Sequence, residues 1–505
     1  MENNRDSWGS NLGFILAAVG SAVGLGNIWG FPFKMGKSGG FTFLIIYLIL
    51  AAIVGVTIMT SELALGRMTG MSPVMAYRKV TKRFKFLGWM AVIAPSLIMT
   101  FYSVLGGYCI YYIFVNVKGL FGEMQGSETF ETMLLNMPIS IGVTVAFMII
   151  CCIVVAGGVS KGIEKFNKVG MPALFVMLVI VIVKAWTMPH AMDGLKFMFV
   201  PGYAVKAGYI ESAPSVLEVL ATAGGQMFFS LSLAMGIMIT YGSYVEKEEN
   251  IVKNSGVIVV ADTCAALMAG LAVIPAAVSN GLQNGLARNE ISLGGPSLLF
   301  ATLQDTFKSM GSIGGLFGLI FYVLVLIAAV SSAISLLEVI SSHYIDRAKD
   351  RGMDIDRKKI VLRISAVVTV VASFVAADGL GSNGFSPAAL LGIEPSGWSD
   401  CWLDFMDVWS EGILMPAGAM IMSLMIGGEV KPKVFLDEIH CGSKPGFFDK
   451  IYGPSITFIV PIVMCFILAG QMISFFANPK ICYTIAVALL VIFAIRAYQK
   501  SRKDL

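Results

Sequence analysis

The chain has 505 residues, enough for several soluble domains, but its composition excludes that organisation. Charged residues make up 13% of the chain, against about 25% in an average soluble protein, and hydrophobic residues make up 56%. With only 36 basic and 32 acidic residues, most of the chain cannot face water. The same figures exclude a disordered protein, a collagen and a nucleic-acid-binding surface.

Apolar runs of about 20 residues recur along the chain, and this length crosses the hydrocarbon core of a bilayer. They predict an all-α polytopic membrane protein with about twelve transmembrane helices in one domain over 1–505. The runs lie at 12–33, 41–66, 87–117, 137–157, 169–186, 215–243, 255–279, 312–342, 360–377, 402–427, 454–477 and 481–497. Only three residues join the last two runs, so eleven spans is the alternative count.

Basic residues are concentrated in every second loop. The basic segments are 67–85, 157–168, 345–363, 428–450 and 496–505, whereas 187–214, 280–311 and 378–401 contain few bases. Since cytoplasmic loops carry the excess of Lys and Arg, we expect both termini in the cytoplasm and a multi-pass protein of the cell's inner (plasma) membrane. The eight cysteines form no CxxC pair and the three histidines are scattered, so we expect no disulfide framework and no zinc site.

Glycines interrupt two of the predicted helices. The first reads GFILAAVGSAVGLGNIWGFPF and the sixth ATAGGQMFFSLSLAMGIMITYGSY. Close helix packing through small residues is the alternative explanation, but it does not account for Asn27 in the first cluster. Broken helices at matching positions of two halves indicate the binding site of a secondary transporter. Five spans separate them, and five is odd, so the halves are inverted, at about 10–186 and 214–427, with two extra helices at about 454–497.

A helix unwound in mid-membrane leaves amides and carbonyls that lipid cannot satisfy. Carbonyl oxygens coordinate hard cations and helix N-termini bind carboxylates, so a zwitterionic substrate with a cation uses both. An ionisable residue inside a span, such as Asp262, is a functional candidate by default, although an acid at a helix end is the alternative. Buried serines have their own alternative, a hydrogen bond to the preceding helical turn.

Four segments carry a resemblance to a known family. SAVGLGNIWGFP with the following GKSGG, WGSNLGF before it, SELALGR in the second helix and QMFFSLSLAMGIMITYGSY in the sixth resemble the neurotransmitter:sodium symporter family. The match covers nearly the whole chain, and the bacterial amino-acid transporter branch is most similar. The resemblance implies ten core helices in a five-plus-five inverted repeat with helices 1 and 6 broken, and sodium-coupled amino-acid uptake by alternating access.

The resemblance also implies two sodium sites. The first uses the Ala22 carbonyl, Asn27, Ser230 and Asp262, where a relative carries asparagine, and the substrate carboxylate completes it. The second uses the carbonyls of Gly20, Val23 and Ala328 with the hydroxyls of Ser331 and Ser332.

The same resemblance assigns the substrate site. Tyr102 resembles the tyrosine that binds the substrate carboxylate, and Phe229 resembles the aromatic lid. Gly24 replaces the aspartate of monoamine transporters and leaves room for a substrate carboxylate, which favours a small or medium apolar α-amino acid. The predicted substrate-binding residues are Ala22, Gly24, Gly26, Ile98, Tyr102, Phe229, Ser230, Ser232, Met235, Ser332 and Leu336.

Gating residues follow from the resemblance on both sides. Arg5, Trp8, Tyr244 and Asp346 resemble the cytoplasmic gate, with Arg5 and Asp346 as its ion pair. On the outer side, Asp407 matches an acid whose usual arginine partner is here Gly30. We therefore expect outer closure to depend on something else, such as water or the Phe229 lid.

The resemblance also allows a prediction about chloride dependence. Animal members bind chloride through a tyrosine, a glutamine and two serines, and Tyr47, Gln226 and Ser230 match three of these positions. The fourth position is Ala266, which has no hydroxyl. Asp262 lies one turn earlier on the same face and supplies a negative charge, so we expect no chloride requirement.

Three alternatives remain at this point. A proton-coupled transporter of the same architecture would place a lysine or carboxylate at Ser331 and Ser332, and a non-transporting sensor would usually carry a soluble domain. A membrane-embedded enzyme would need a cluster of catalytic groups, which the scattered histidines do not provide, so we expect no enzyme. The expected partners are an amino acid, sodium ions and the lipid bilayer, for a monomer or weak homodimer.

Overall fold

The computed structural model describes residues 7–291, 293, 297–353 and 356–475 of the chain, and all regular structure in these ranges is helical. Nine helices in this part are long and apolar enough to cross a membrane, and two shorter helices bent by 46° make a tenth span. The predicted sixth run forms another broken pair. The run at 481–497 lies outside the described residues, so the count of twelve is approximate.

We number the spanning helices α1–α11 in chain order. They are α1 (Asn11–Ala22 with Gly26–Lys37), α2 (Phe41–Thr69), α3 (Leu87–Gly119), α4 (Met137–Ala156), α5 (Val159–Trp186), α6 (Val216–Ser230 with Ile237–Gly242), α7 (Ile251–Gln283), α8 (Gly314–Asp350), α9 (Arg357–Ala377), α10 (Trp402–Val430) and α11 (Phe447–Ile473).

Burial separates the central helices from the peripheral ones. In the most apolar stretch of each helix, 78% of the residues of α3 and 72% of those of α8 are buried, against 33% in α4, α5 and α9. The peripheral helices present apolar side chains outward, such as Ile153 on α4 and Val370 on α9. Such a surface fits a bilayer, where lipid tails replace the protein core as apolar surroundings.

Counterpart helices of the two halves contact each other. The helix α3 packs along α8, α4 packs on α9, and α2 packs against α7, while the two halves of α1 contact the two halves of α6. This arrangement agrees with the predicted five-plus-five inverted repeat and brings the two broken helices side by side.

The helix α5 begins ten residues before its predicted apolar run. Gly158 has a φ of 86°, and the first turns, Val159–Glu164, have the wider π-helical form. Hydropathy did not indicate this start because the segment SKGIEKFNK is charged. The helix α8 likewise extends to Asp350, beyond the predicted end at 342, because helices continue past the apolar stretch.

Candidate functional site

The break in α1 is held open by a side chain of the same helix. Val23 is extended, with φ −78° and ψ 96°, and the Gly24 N–H donates to the Asn27 side-chain oxygen at 3.0 Å. The Leu25 N–H donates to the Tyr102 hydroxyl of α3 at 2.9 Å. Two amides freed by the break are therefore satisfied by side chains, as a buried backbone requires.

At the break in α6, every second residue has a left-handed backbone conformation. Ser232, Ala234 and Gly236 have φ values of 54°, 58° and 74°, which only the glycine adopts without strain. The Ala234 N–H donates to a carboxylate oxygen of the buried Glu62 at 2.9 Å. Glu62 of α2 therefore holds the unwound segment in place.

A cavity lies where the two breaks meet α3 and α8. Ten of the eleven predicted substrate-binding residues line it, and the eleventh, Ser230, points elsewhere. The lining residues are Ser21, Ala22, Gly24, Gly26, Ile98, Tyr102, Phe229, Ser232, Met235, Ile237, Ser332 and Leu336. Ser21 and Ile237 were not predicted, although Ser21 adjoins Ala22 and Ile237 lies two residues after Met235.

One end of the cavity is polar because Gly24 has no side chain. A β-carbon at Gly24 would overlap the hydroxyl oxygens of Tyr102 and Ser332. The Ser332 hydroxyl donates to the Ser21 carbonyl at 3.0 Å, and the Ser232 hydroxyl donates to the same carbonyl at 2.9 Å. Ile98, Met235 and Leu336 line the cavity with apolar side chains.

Asp262 lies at the centre of a buried polar cluster beside the breaks. It is fully buried and accepts hydrogen bonds from Asn27 at 2.7 Å, from Ser230 at 2.9 Å and from Tyr47 at 3.2 Å. These are three of the residues that the sequence placed around the first sodium site and the chloride position. Ser230 faces this carboxylate rather than the cavity, because the α6 break begins only after it.

The residues predicted for the second sodium site lie between α1 and α8. The Ser331 hydroxyl donates to the Ala328 carbonyl at 2.8 Å, and the Ser332 hydroxyl lies 3.4 Å from the Gly20 carbonyl oxygen. Gly20, Val23 and Ala328 are all buried. The atoms that would coordinate an ion here are neutral oxygens, which suit a hard monovalent cation better than a transition metal. No group of three or more His, Cys, Asp or Glu residues able to hold a metal occurs in the described ranges.

Aromatic and charged residues meet where α1 begins and α6 ends, at the predicted cytoplasmic gate. The Trp8 indole donates to the Tyr241 carbonyl at 3.2 Å, and its ring lies 6.1 Å from that of Tyr244. The Tyr244 hydroxyl donates to Glu338 at 2.8 Å, and Glu338 is ion-paired with Arg357 of α9.

Of the ion pair predicted for this gate, the structure describes Asp346 but not Arg5. Asp346 accepts a hydrogen bond from the Ser72 N–H at 2.6 Å. Arg5 lies outside the described residues, so its pairing with Asp346 stays a prediction.

An ion pair that the sequence did not predict lies near Gly30 and Asp407, the positions of the predicted outer gate. Lys34 of α1 is ion-paired with Glu411 of α10, and its ammonium lies 6.0 Å from the centre of the Phe229 ring. Lys34 is one turn beyond Gly30, and Glu411 is one turn beyond Asp407. This pair is a further candidate for outer closure, beside the predicted water or Phe229 lid, and the four-residue spacing on both helices was the signal that could have indicated it.

The chain is similar to a described family and to several of its members. The profile of the "Sodium:neurotransmitter symporter family" matches residues 5–133 and 135–498. The uncharacterized sodium-dependent transporter YhdH of Bacillus subtilis is 32% identical over 471 residues, covering 92% of this chain and 97% of that protein. The uncharacterized sodium-dependent transporter MJ1319 of Methanocaldococcus jannaschii is 28% identical over 505 residues, covering 96% of this chain and 95% of that protein.

A solved structure shares the fold over almost its full length. The crystal structure of MhsT in complex with L-phenylalanine superposes with a TM-score of 0.79 at 33% sequence identity, covering 93% of this chain and 100% of that one.

Proposed function

The chain belongs to the sodium:neurotransmitter symporter family and is a sodium-dependent membrane transporter of that type. From this premise we propose that it imports a small or medium apolar α-amino acid together with two sodium ions, without chloride, by alternating access. We further propose that it lies in the plasma membrane with both termini in the cytoplasm.

The observation that carries the amino-acid assignment is the polar end of the cavity at Gly24, where the hydroxyl groups of Tyr102 and Ser332 lie. The Tyr102 hydroxyl accepts from Leu25, so its own proton remains available for a substrate oxygen. An amine-binding aspartate cannot occupy residue 24, because even a β-carbon there overlaps Tyr102 and Ser332. A substrate carboxylate fits this polar end, beside the hydroxyl groups of Tyr102 and Ser332.

The other end of the cavity supports an apolar side chain of limited size. Ile98, Met235 and Leu336 offer no partner for a charged group, and the bulk of these three side chains limits the size of the substrate side chain. Because the structure of MhsT contains L-phenylalanine, an aromatic amino acid is the largest substrate that we would test.

The oxygen-rich clusters support the two sodium sites. The first would be formed by Asn27, Ser230, Asp262 and the Ala22 carbonyl, and the second by the Gly20, Val23 and Ala328 carbonyls with Ser331 and Ser332. A sodium ion at the first site would neutralise the Asp262 carboxylate and attract the substrate carboxylate. This electrostatic link would couple substrate binding to sodium.

The surroundings of Asp262 support independence from chloride. Its carboxylate accepts hydrogen bonds from Tyr47 and Ser230, two of the groups that bind chloride in animal members. A fixed negative charge on these donors would repel a second anion, and Ala266 provides no hydroxyl for one.

Uptake into proteoliposomes tests the proposal. We expect a labelled apolar amino acid to accumulate under an inward sodium gradient, and unlabelled apolar amino acids to compete whereas dopamine does not. Accumulation that persists with choline in place of sodium would contradict sodium coupling, and accumulation driven by a proton gradient alone would favour the proton-coupled alternative. Competition by dopamine but by no amino acid would contradict the substrate class.

A further inference from the structure

The first turn of α1 is anchored to α5 by a buried carboxylate. The Gly9 N–H donates to Glu164 at 2.7 Å, and the Ser10 hydroxyl donates to its other oxygen at 3.2 Å. The Glu164 side chain is 2% exposed, and Lys168 balances its charge at 2.6 Å. A carboxylate at a helix N-terminus also interacts favourably with the helix dipole.

Two glycines of α1 leave room for side chains of α5. A β-carbon at Gly13 would overlap the Glu164 carboxylate, and one at Gly20 would overlap the Asn167 amide oxygen. Gly13 and Gly20 are seven residues apart, about two turns, and so lie on one face of α1. Glu164 and Asn167 are three residues apart and share a face of α5. We call these contacts, with Gly9 and Ser10, the docking seam.

The inner end of the seam adjoins the second proposed sodium site. Asn167 is fully buried, and its amide nitrogen donates to the Ile163 carbonyl at 2.9 Å, which fixes the orientation of the amide. Its oxygen has no hydrogen-bond partner among the described residues. That oxygen meets Gly20 at the point where Ser331 also approaches, at 3.3 Å from the β-carbon position.

The seam therefore acts on the part of α1 that supplies ligands. The helix is continuous from Asn11 to Ala22, so contacts at its first turn and at Gly20 fix the position of the whole segment. The Gly20 and Ala22 carbonyls belong to this segment, one at each proposed sodium site. A shift of the segment against α8 would open both sites together.

We propose that Glu164 and Asn167 are positioning residues, which dock the inner half of α1 on α5 and so hold its carbonyl oxygens at the two sodium sites. The proposal rests on the proposed function, because it concerns the affinity of those same sites for sodium. It gives α5, which contributes no lining residue to the cavity, a role in ion coupling.

Sodium dependence of substrate binding by the purified full-length protein tests the seam. We expect Glu164→Ala to raise the sodium concentration for half-maximal binding about tenfold, and Glu164→Gln and Asn167→Ala about threefold, since each of these keeps part of the seam. At saturating sodium, substrate affinity should return to within about twofold of wild type. Lys165→Ala is the matched control and should stay within about twofold throughout, because that lysine follows Glu164 on α5 but its side chain is exposed.

The outcomes separate the seam from the proposed function. Folded variants that keep the wild-type sodium dependence would overturn the proposed role of the docking seam. This holds even if their melting temperature falls, because a loss of stability alone would indicate a merely structural contact. If Glu164→Ala does not fold, Glu164→Gln and Asn167→Ala decide the matter in the same way. Wild-type binding that does not depend on sodium would contradict the proposed function instead.

Discussion

At residue 24, the absence of a single carbon decides what the cavity can hold. Gly24 lies between the hydroxyl groups of Tyr102 and Ser332, and a β-carbon would overlap both. The adjacent backbone is already committed, since the Gly24 N–H is bonded to Asn27. A substituted residue 24 would therefore have to displace the groups that face the substrate carboxylate.

We expect Gly24→Ala to weaken substrate binding at least tenfold, about 1.4 kcal/mol, because the new methyl group displaces the Tyr102 and Ser332 hydroxyls that face the substrate carboxylate. Saturation binding of the labelled amino acid at high sodium measures the effect. Gly142→Ala on α4 is the control, because its β-carbon meets no atom within 4 Å. Equal affinity in Gly24→Ala and wild type would place the substrate elsewhere.

A second residue-scale prediction concerns the charge of Asp262. Uptake by the wild type should be the same in chloride and in gluconate, whereas Asp262→Asn should lose uptake because the sodium ions lose their counter-charge. In Asp262→Asn with Ala266→Ser, chloride should restore part of the activity, since a hydroxyl then replaces the missing chloride ligand. Strong chloride dependence of the wild type would refute this interpretation.

At the scale of elements, the outer half of α1 is tied to α10 by Lys34 and Glu411. Their side chains are 18% and 8% exposed, so the pair is partly desolvated and stronger than a surface ion pair. Asp407, one turn before Glu411, interacts electrostatically with both.

We expect Lys34→Gln and Glu411→Gln to favour the outward-open state and to speed the labelling of a cysteine placed in the outer vestibule by about three- to tenfold. The double replacement should have no larger effect than either single one, because both remove the same interaction. Lys37→Gln is the control, since Lys37 lies over the Phe33 ring instead. Additive effects of Lys34→Gln and Glu411→Gln would show that the pair does not act as a unit.

The elements were predictable to different degrees, for physical reasons. Glycine clusters and apolar length identified the broken helices and nearly every span, because both depend on local sequence. The early start of α5 was missed because its first turns are charged, and hydropathy reports lipid contact rather than helix formation. Lys34 and Glu411 were missed because each lies one turn beyond the position that the resemblance identified, and their contact joins residues 377 positions apart.

For the whole molecule, the contacts proposed to close the two sides join different sets of helices. On the inner side, Trp8 and Tyr244 connect the start of α1 and the end of α6 to Glu338 of α8. On the outer side, Lys34 connects α1 to α10. Because α1 takes part in both closures, the balance between them sets the populations of the two open states.

We expect Tyr244→Phe to favour the inward-open state, since it removes the hydrogen bond to Glu338, and Arg5→Ala to act in the same direction by leaving Asp346 without its predicted ion-pair partner. Faster labelling of a cysteine on the inner pathway measures both. Combining Tyr244→Phe with Lys34→Gln should return the distribution towards wild type, because the two changes act on distant, independent contacts. A combined variant as inward-open as Tyr244→Phe alone would contradict this balance.

The use of lysine at the outer closure has a chemical consequence. A primary amine can be acylated by reagents to which an arginine guanidinium is inert, and Lys34 is mostly shielded while it is paired with Glu411. The native sequence thus contains a built-in footprinting probe beside its own substrate path. Mass spectrometry of the peptide that contains Lys34 would then report how often the outer side opens, with no introduced cysteine or attached dye.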